Sequence, residues 1–434
     1  MQIRTVDLAA AVGGTLEGTD VIVDGASQDS RALAPGQLFV PLPGARDGHD
    51  FIEAALAAGA TAYLSAGRLV DGATAVIVDD ALAALRAAGR HARSLLPERV
   101  VGVTGSVGKT SVKDLLRAVL EQQWATAANL RSFNNEIGVP LTLLGAPDGT
   151  EAVVVEMGAR GVGHIADLCE VASPTVGIVT RVAAVHTEVF GGLDDIAAAK
   201  GELVEALPDD GFAVLNAGDP AVVAMASRTS AHVITYGKGG DVRAEQIVLD
   251  DDLCTRFQLV SEWGRHEVAL PVRGLHQADN GLAAAAAGLV LGMEITAVAA
   301  GLGSAALSPW RMELTRAPSG ALVLNDAYNA NPTSVAAALE SLQALPARRR
   351  VAVLGRMAEL GDREADDHAA IGAQARELGI EVIAVAAPGY GGDDVATAAE
   401  AIAALGDLGE GDAVLVKGSR VAGLETLAAA LLEG

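Results

Sequence analysis

The chain contains a short run of glycines, a lysine and hydroxyl residues, Gly105-Ser106-Val107-Gly108-Lys109-Thr110-Ser111. Glycine has no Cβ atom, so the backbone N–H groups beside it can approach phosphate oxygens closely. Lys109 can reach the terminal phosphates of a nucleotide, and Thr110 or Ser111 can offer a hydroxyl group to Mg²⁺. The spacing departs from the usual G-x-x-x-x-G-K-[ST] motif, because Val103 stands where the first glycine is expected. The residues still favour a loop that binds nucleotide phosphates.

Two elements must position this loop. The β-branched run before it, residues 100–103, suits a buried strand, and the residues after Lys109 suit a helix. The helix has one apolar face, because apolar residues recur at helical spacing, at Val112, Leu115, Leu116, Val119 and Leu120. Strand, glycine turn and helix is the order that a phosphate loop requires, since the helix N-terminus adds a partial positive charge.

Composition limits the class of protein. The length of 434 residues predicts several globular domains of roughly 100 to 200 residues each. A formal charge of −24 argues against a nucleic-acid surface or an anionic membrane partner, which require basic patches. Cys169 and Cys254 are too few for a disulfide framework, which fits the cytoplasm. The longest apolar stretch, residues 282–293, is too short for a membrane span.

Predicted strands at residues 100–103, 152–156, 176–180 and 212–215 alternate with helices, which indicates a mainly parallel sheet. Polar residues follow these strands, at the sheet edge where ligands bind in such folds. Glu156 can hold Mg²⁺ there or can cap the next helix. His186 follows the third strand, although a lone histidine is more often structural. Lys200, taken alone, is expected to be a solvent-exposed helix lysine.

A third alternation, with strands at residues 321–325, 351–354, 381–385 and 413–416, favours a Rossmann-like domain. Arg311 lies at the boundary before it, where a charged side chain could swing toward bound phosphate, although a surface arginine is the commoner case. We therefore predict an α/β protein of three domains. These are a small α/β N-terminal domain at residues 1–97, a central P-loop domain with a mainly parallel sheet at 98–312, and the Rossmann-like domain at 313–434.

The N-terminal domain carries two polar loops, Asp29-Ser30-Arg31 and Asp47-Gly48-His49. Loops of this composition can hold a polar ligand. The alternative is that Asp29, Arg31 and Asp47 only close turns.

Taken in order, these motifs resemble the Mur ligase family, the ATP-dependent amide-forming enzymes of peptidoglycan precursor synthesis. The resemblance spans nearly the whole chain and includes both N-terminal loops, the phosphate loop, Glu156-Met157-Gly158, His186-Thr187-Glu188, Ala199-Lys200-Gly201-Glu202, Asn280, Arg311 and the run Asp326-Ala327-Tyr328-Asn329-Ala330-Asn331-Pro332. Residues 132–140 and 328–332 look like the members that join D-alanyl-D-alanine (D-Ala-D-Ala) to UDP-N-acetylmuramoyl-tripeptide (UDP-MurNAc-tripeptide). Relatives commonly have glycine before the arginine, where this chain has Trp310, and an acidic residue where it has Arg356.

The resemblance implies a cytoplasmic ligase that uses ATP, forms an acyl phosphate and then an amide, and acts on UDP-MurNAc-tripeptide and D-Ala-D-Ala. It implies no nucleic-acid partner and no membrane insertion, and we expect a monomer. The expected catalytic residues are Lys109, Glu156, His186, Lys200 and Arg311. Beyond the phosphate loop, ATP would contact Asn280, Arg311, Asp326 and Asn329. The UDP-linked substrate would contact Ser30, Arg31, Asp47, His49, Asn134, Asn135 and Arg160.

Two Mg²⁺ ions are expected, with ligands drawn from Thr110, Glu156, His186 and Lys200. An ammonium group beside Mg²⁺ would be repelled, so the resemblance implies that Lys200 is carbamylated by CO₂. A carbamate carries negative charge and oxygen ligands. The residues after Lys200 predict a helix with this lysine in its first turn.

Two alternatives remain at this stage. A folylpolyglutamate synthetase or another Mur-type amide ligase would share the architecture, but a folylpolyglutamate synthetase would not need the two N-terminal loops. A nucleotide-dependent binding module is disfavoured, because the chain lacks an Asn-Lys-x-Asp guanine signature.

Overall fold

The structure is a computed structural model that describes residues 1–129, 133–184 and 190–433. This part of the chain contains five β-sheets with helices between them. The first segment contains β1 (Gln2–Arg4), α1 (Thr5–Val12), β2 (Thr15–Glu17), β3 (Ile22–Asp24), β4 (Ala26–Ser27), β5 (Leu38–Phe39), α2 (Ile52–Ala57), β6 (Ala62–Ser65), β7 (Ala75–Ile77) and α3 (Ala81–Ser94). Strands β1 and β3 form an antiparallel pair, and the other five form a mixed sheet in the order β2-β7-β6-β5-β4.

The second segment forms a six-stranded sheet around the phosphate loop. Its elements are β8 (Val100–Thr104), α4 (Lys109–Leu120), β9 (Thr126–Ala128), α5 (Gly138–Leu144), β10 (Ala152–Glu156), α6 (His164–Ala172), β11 (Val176–Val179), α7 (Leu193–Glu205), β12 (Phe212–Asn216), α8 (Pro220–Val223) and β13 (His232–Tyr236). The order is β13-β12-β11-β8-β10-β9, and every neighbouring pair is parallel. The predicted parallel sheet is confirmed.

An antiparallel sheet that the sequence analysis did not predict follows: β14 (Arg243–Leu249), β15 (Cys254–Ser261) and β16 (Gly264–Arg273). Two helices come next, α9 (Gln277–Val290) and α10 (Ile295–Gly303). These helices share a hydrophobic core with the apolar face of α4, which includes Leu115, Leu116 and Val119. The phosphate-loop helix is therefore buried between the parallel sheet and the α9–α10 layer.

The last segment forms a second six-stranded sheet in the order β17-β18-β22-β19-β20-β21. Its elements are β17 (Glu313–Arg316), β18 (Leu322–Asn325), α11 (Pro332–Ala344), β19 (Arg349–Gly355), α12 (Glu364–Glu377), β20 (Glu381–Val385), β21 (Asp393–Val395), α13 (Ala398–Leu405), β22 (Asp412–Lys417) and α14 (Glu425–Glu433). Only β17 runs antiparallel to its neighbour among these strands. Asn331 and Ser334 form a capping box at the start of α11, and Pro332 occupies its first turn, so this polar end of β18 is held firmly.

The α/β class is confirmed. One detail is wrong, because α7 begins at Leu193 and places Lys200 in the body of the helix instead of its first turn. Asp194 and Asp195 mark the true start, since acidic residues favour the first turn of a helix. None of the described helices is both long and apolar enough to cross a membrane.

Candidate active site

The phosphate loop joins β8 to α4 through two glycines with left-handed backbone angles. Gly108 has φ 85° and Gly105 has φ 145°. A Cβ atom on Gly105 would lie 1.9 Å from Thr180 Oγ1, so no side chain fits at this position. The Lys109 ammonium donates a hydrogen bond to the Gly105 carbonyl at 2.7 Å, and the Ser106 N–H donates to the Arg181 carbonyl at 2.7 Å. The loop is thus shaped by its own sequence and by the end of β11.

Glu156, at the carboxyl end of β10, is 1% exposed and faces this loop. Its two carboxylate oxygens accept hydrogen bonds from Thr110 Oγ1 at 2.8 Å and from Asn134 Nδ2 at 2.7 Å. Its backbone N–H donates to Asn129 Oδ1 at 2.6 Å. A buried carboxylate beside a threonine hydroxyl offers the oxygen ligands that Mg²⁺ prefers.

Two lysines lie near each other here, Lys200 buried and Lys109 partly buried. Burial lowers the pKa of Lys109, and the nearby Glu156 carboxylate opposes that shift. Lys200 is 3% exposed, and burial together with the positive charge of Lys109 lowers its pKa to about 7. The expectation of a solvated Lys200 from the residues alone is therefore wrong, because α7 turns this side chain into the protein.

Arg311 connects the linker before β17 to the phosphate loop. Its Nη2 donates to Thr110 Oγ1 at 2.9 Å, and its guanidinium carbon lies 4.2 Å from the centre of the Tyr328 ring. Within the described residues, the buried Arg311 Nε makes no hydrogen bond. A guanidinium with a spare buried donor beside a phosphate loop is suited to bind a phosphoryl group.

The start of α9 closes the loop from another side. The Asn280 Nδ2 donates to Gln277 Oε1 at 2.8 Å, and Asn280 Oδ1 approaches Gly108 so closely that a Cβ there would lie 2.7 Å away. His276 precedes this helix, and burial lowers its pKa. A neutral imidazole and two amides therefore line this wall of the site.

The polar ends of β18 and β22 meet across the site. The Lys417 ammonium forms an ion pair with Asp326 and donates to the Asn329 carbonyl at 2.9 Å. Asp326 Oδ1 also accepts a hydrogen bond from the Met312 N–H at 3.2 Å. These contacts fix Asp326 and Asn329 at the rim of the last sheet.

A single cleft of about 1030 Å³ gathers most of the predicted site. The predicted residues that line it are Ser106, Val107, Gly108, Lys109, Thr110, Ser111, Asn134, Asn135, Glu156, Arg160, Lys200, Asn280, Arg311, Asp326 and Asn329. The predicted residues that do not line the cleft are Ser30, Arg31, Asp47 and His49 of the N-terminal loops and Gly105 of the phosphate loop. His186 falls outside the described residues.

Each N-terminal loop is ordered by polar contacts within itself. Arg31 donates to both carboxylate oxygens of Asp29, at 2.9 and 2.8 Å, and its side chain is 85% exposed. His49 Nδ1 lies 2.8 Å from Asp47 Oδ1, and its Nε2 accepts the Ala66 N–H at 3.2 Å. Asp29 and Asp47 therefore do close turns, while the Arg31 side chain stays accessible beside Asp29.

Several cleft residues had no role assigned from the sequence, among them Gln28, His276, Asn331, Lys417 and Ser419. Gln28 directly precedes the first N-terminal loop and lines the cleft. Lys417 ends β22 and Ser419 follows it, so the rule that ligands bind at the carboxyl ends of strands could have found them.

Comparisons with known proteins show which families this chain is similar to. Residues 103–288 match the model of the Mur ligase middle domain, and residues 310–420 match that of the Mur ligase glutamate ligase domain. The chain is 39% identical over 466 residues to a UDP-N-acetylmuramoyl-tripeptide–D-alanyl-D-alanine ligase of Mycobacterium tuberculosis, covering 93% of this chain and 91% of that one.

Solved structures show the same architecture. A crystal structure of MurF from Acinetobacter baumannii superposes with a TM-score of 0.90 at 29% identity, covering 100% of this chain and 99% of that one. A structure of MurF ligase from Thermotoga maritima in complex with ADP superposes with a TM-score of 0.82 at 28% identity, covering 95% and 97%.

Proposed function

Because this chain belongs to the Mur ligase family, we propose that it uses ATP to join D-Ala-D-Ala to UDP-MurNAc-tripeptide, a step of peptidoglycan precursor synthesis in the cytoplasm. The observation that carries the proposal is the 39% identity, over 93% of the chain, to a relative named for this reaction. The phosphate loop, with Arg311 hydrogen-bonded to Thr110, supplies the machinery that ATP chemistry needs.

The reaction needs activation, since a carboxylate is a poor acyl donor. A carboxylate oxygen of the tripeptide attacks the γ-phosphorus of ATP, ADP leaves, and an acyl phosphate forms. The dipeptide amine then attacks the acyl carbon and phosphate leaves. Lys109 and Arg311 would stabilise the negative charge that grows in both steps, and the buried cleft would limit hydrolysis of the acyl phosphate.

A magnesium ion fits the donor set around Glu156. Thr110 and Glu156 would hold it with hydroxyl and carboxylate oxygens, and it would neutralise phosphate charge. Across the described ranges, no group of three His, Cys, Asp or Glu residues is arranged to hold a metal ion. The remaining ligands would come from His186, which lies outside the described residues, from phosphate oxygens, from water or from a modified Lys200.

Carbamylation of Lys200 is the second part of the proposal. Its amine has a pKa of about 7, so a large share is neutral near neutral pH and can react with CO₂. The neutral amine adds to the carbon of CO₂ and releases one proton, which leaves an anionic carbamate. This anion would relieve the repulsion between Lys200 and Lys109.

The Lys200→Ala variant tests this modification. We expect it to be nearly inactive and to regain part of its activity in acetate or formate, which can fill the vacated space. In the parent protein, ¹³CO₂ should give a carbamate ¹³C resonance that the Lys200→Ala variant lacks. This resonance should grow as the pH rises through about 7. Wild-type activity of Lys200→Ala, or a resonance that persists in it, would refute carbamylation.

The proposal also assigns a ligand to each predicted domain. Residues 1–97, with Ser30, Arg31, Asp47 and His49, would hold the UDP-linked substrate, with Asn134, Asn135 and Arg160 beside it. Residues 98–312 and 313–434 would hold ATP between them. The placement of Asn280 against Gly108, and of Asp326 across the cleft, supports this arrangement.

An omission assay tests the function directly. Phosphate release would be measured with ATP, UDP-MurNAc-tripeptide and D-Ala-D-Ala, leaving out each in turn. We expect release only with all three. Turnover with a folate and glutamate would support the folylpolyglutamate alternative, and ATP hydrolysis that ignores both other substrates would favour a binding module.

A further inference from the structure

Helix α4 carries a buried ion pair with no role in the chemistry above. Lys113 is 3% exposed, and its Nζ lies 2.8 Å from Asp114 Oδ1, whose side chain is 9% exposed. Burying two charges costs several kcal/mol per ion in general, so such a pair is weak evidence for stability alone. Its partners indicate another role.

Asp114 reaches the interdomain linker. Its second oxygen, Oδ2, accepts a hydrogen bond of 2.7 Å from the Ser308 N–H, across 194 positions of sequence. Ser308 lies three residues before Arg311, which contacts Thr110 on the first turn of the same helix. The linker is therefore attached to α4 at two points.

Lys113 reaches the other side of the site. Its Nζ donates to the Asn129 carbonyl at 3.0 Å, and the Asn129 side chain accepts the Glu156 N–H at 2.6 Å. A continuous path of three hydrogen bonds and one ion pair thus runs from the linker through Asp114, Lys113 and Asn129 to the backbone of Glu156.

We propose that Asp114 is a positioning residue that holds the linker against α4, and that Lys113 orients the Asp114 carboxylate and ties it to the Glu156 strand. Through this network, the distance between Arg311 and the Thr110–Glu156 pair is fixed before substrates bind. The proposal deepens the proposed function and rests on it for its kinetic part. A misplaced Arg311 would lose stabilisation of transferred phosphoryl charge while ATP still bound the phosphate loop.

The Asp114→Asn variant is the test, since it keeps the shape but offers only one acceptor to two donors. We expect kcat to fall roughly tenfold or more with a KM for ATP that changes less than about twofold. In hydrogen exchange measured by mass spectrometry, residues 305–312 should exchange faster while α4 keeps its protection. Asp114→Glu, which keeps both oxygens, should recover part of kcat and of the protection.

Glu121→Gln is the matched control, because Glu121 pairs with Arg117 on the exposed face of α4. It should change neither kcat nor linker exchange. Unchanged linker exchange in Asp114→Asn, faster exchange along all of α4, or a KM for ATP that rises as much as kcat falls would overturn the proposal. If the parent enzyme showed no ligase turnover, the proposed function would fail, and linker exchange would still decide the role of Asp114.

Discussion

At the scale of single residues, the site depends on where the chain puts its few lysines. The sequence has five, at positions 109, 113, 200, 238 and 417. Lys113, Lys200 and Lys417 are buried, Lys109 is partly buried, and Lys238 is exposed. Burial of an ammonium is costly, so each buried lysine is expected to have a partner or an altered charge. In a chain of net charge −24, these buried cations create the local positive potential that an anionic nucleotide requires.

The Lys109→Ala variant tests this at the phosphate loop. Lys109 should stabilise charge that grows during phosphoryl transfer, so we expect kcat to fall by about 10² or more. The fold should survive, because the substitution removes the desolvation cost of the Lys109 ammonium as well as the contacts that it makes. Steady-state kinetics and thermal unfolding would be compared with Lys238→Ala, which should behave like the parent. Near-normal turnover of Lys109→Ala would exclude the loop from the mechanism.

At the scale of elements, the parallel sheet and the phosphate-loop helix were predictable because their signals are local. The run of β-branched residues in β8 and the apolar face of α4 each lie within a dozen residues. The sheet β14–β16 was not predicted, since its strands have exposed faces and a β-bulge between Glu245 and Val248 that interrupts the alternation. The predictions of site residues likewise depended on whether a signal could be recognised within a short stretch of sequence.

The end of β10 indicated Glu156, because the carboxyl ends of parallel strands lie at one functional edge, whereas the end of β22 was given no role. The burial of Lys200 was missed because the lysine was interpreted alone, although Ile196, Ala199, Leu203 and Val204 recur at helical spacing and place Lys200 on the same buried face of α7. The roles of the site residues, and the division at residues 97 and 312, stay predictions.

The linker carries an unusual backbone. Trp310 has φ 62° and Met312 has φ 53°, on either side of Arg311. A non-glycine residue in this region costs roughly 1–2 kcal/mol. The Trp310 ring lies 4.6 Å from the Arg420 guanidinium, and such a cation–π contact contributes about 0.5–2 kcal/mol. The strained backbone at Trp310 is thus offset by a contact with the last domain.

A double-mutant cycle tests that compensation. Trp310→Gly should leave the free energy of unfolding within about 1 kcal/mol of the parent, because relieved strain and lost contact nearly cancel. Arg420→Ala should be destabilising in the parent and less so, by about 0.5–1 kcal/mol, in the Trp310→Gly background. Denaturant unfolding gives these values. Equal costs of Arg420→Ala in both backgrounds would show that the ring and the guanidinium do not interact energetically.

At the scale of the whole molecule, the cleft has contributions from all three predicted domains, namely Gln28, the phosphate loop and the rim around Asp326. The first segment is held to the central sheet by α3, whose Arg93 donates to the Ala172 carbonyl at 2.7 Å. The N-terminal loops can therefore lie at a fixed position relative to the phosphate loop without lining the cleft. A long substrate with a nucleotide at one end and a peptide at the other suits such a layout.

The Arg31→Ala variant tests this division of labour. Arg31 is exposed and preorganised by Asp29, so it can bind the diphosphate of the UDP-linked substrate far from the reacting carboxylate. We expect KM for that substrate to rise by about tenfold, with kcat and the KM for ATP nearly unchanged, because a remote binding handle is lost. Arg265→Ala is the control, since Arg265 pairs with Glu245 in the β14–β16 sheet, away from the cleft, and should leave all three constants unchanged. The opposite result would be a higher KM for ATP in Arg31→Ala with an unchanged KM for the UDP-linked substrate. It would show that the nucleotide sugar binds elsewhere and that the N-terminal loops have a purely structural role.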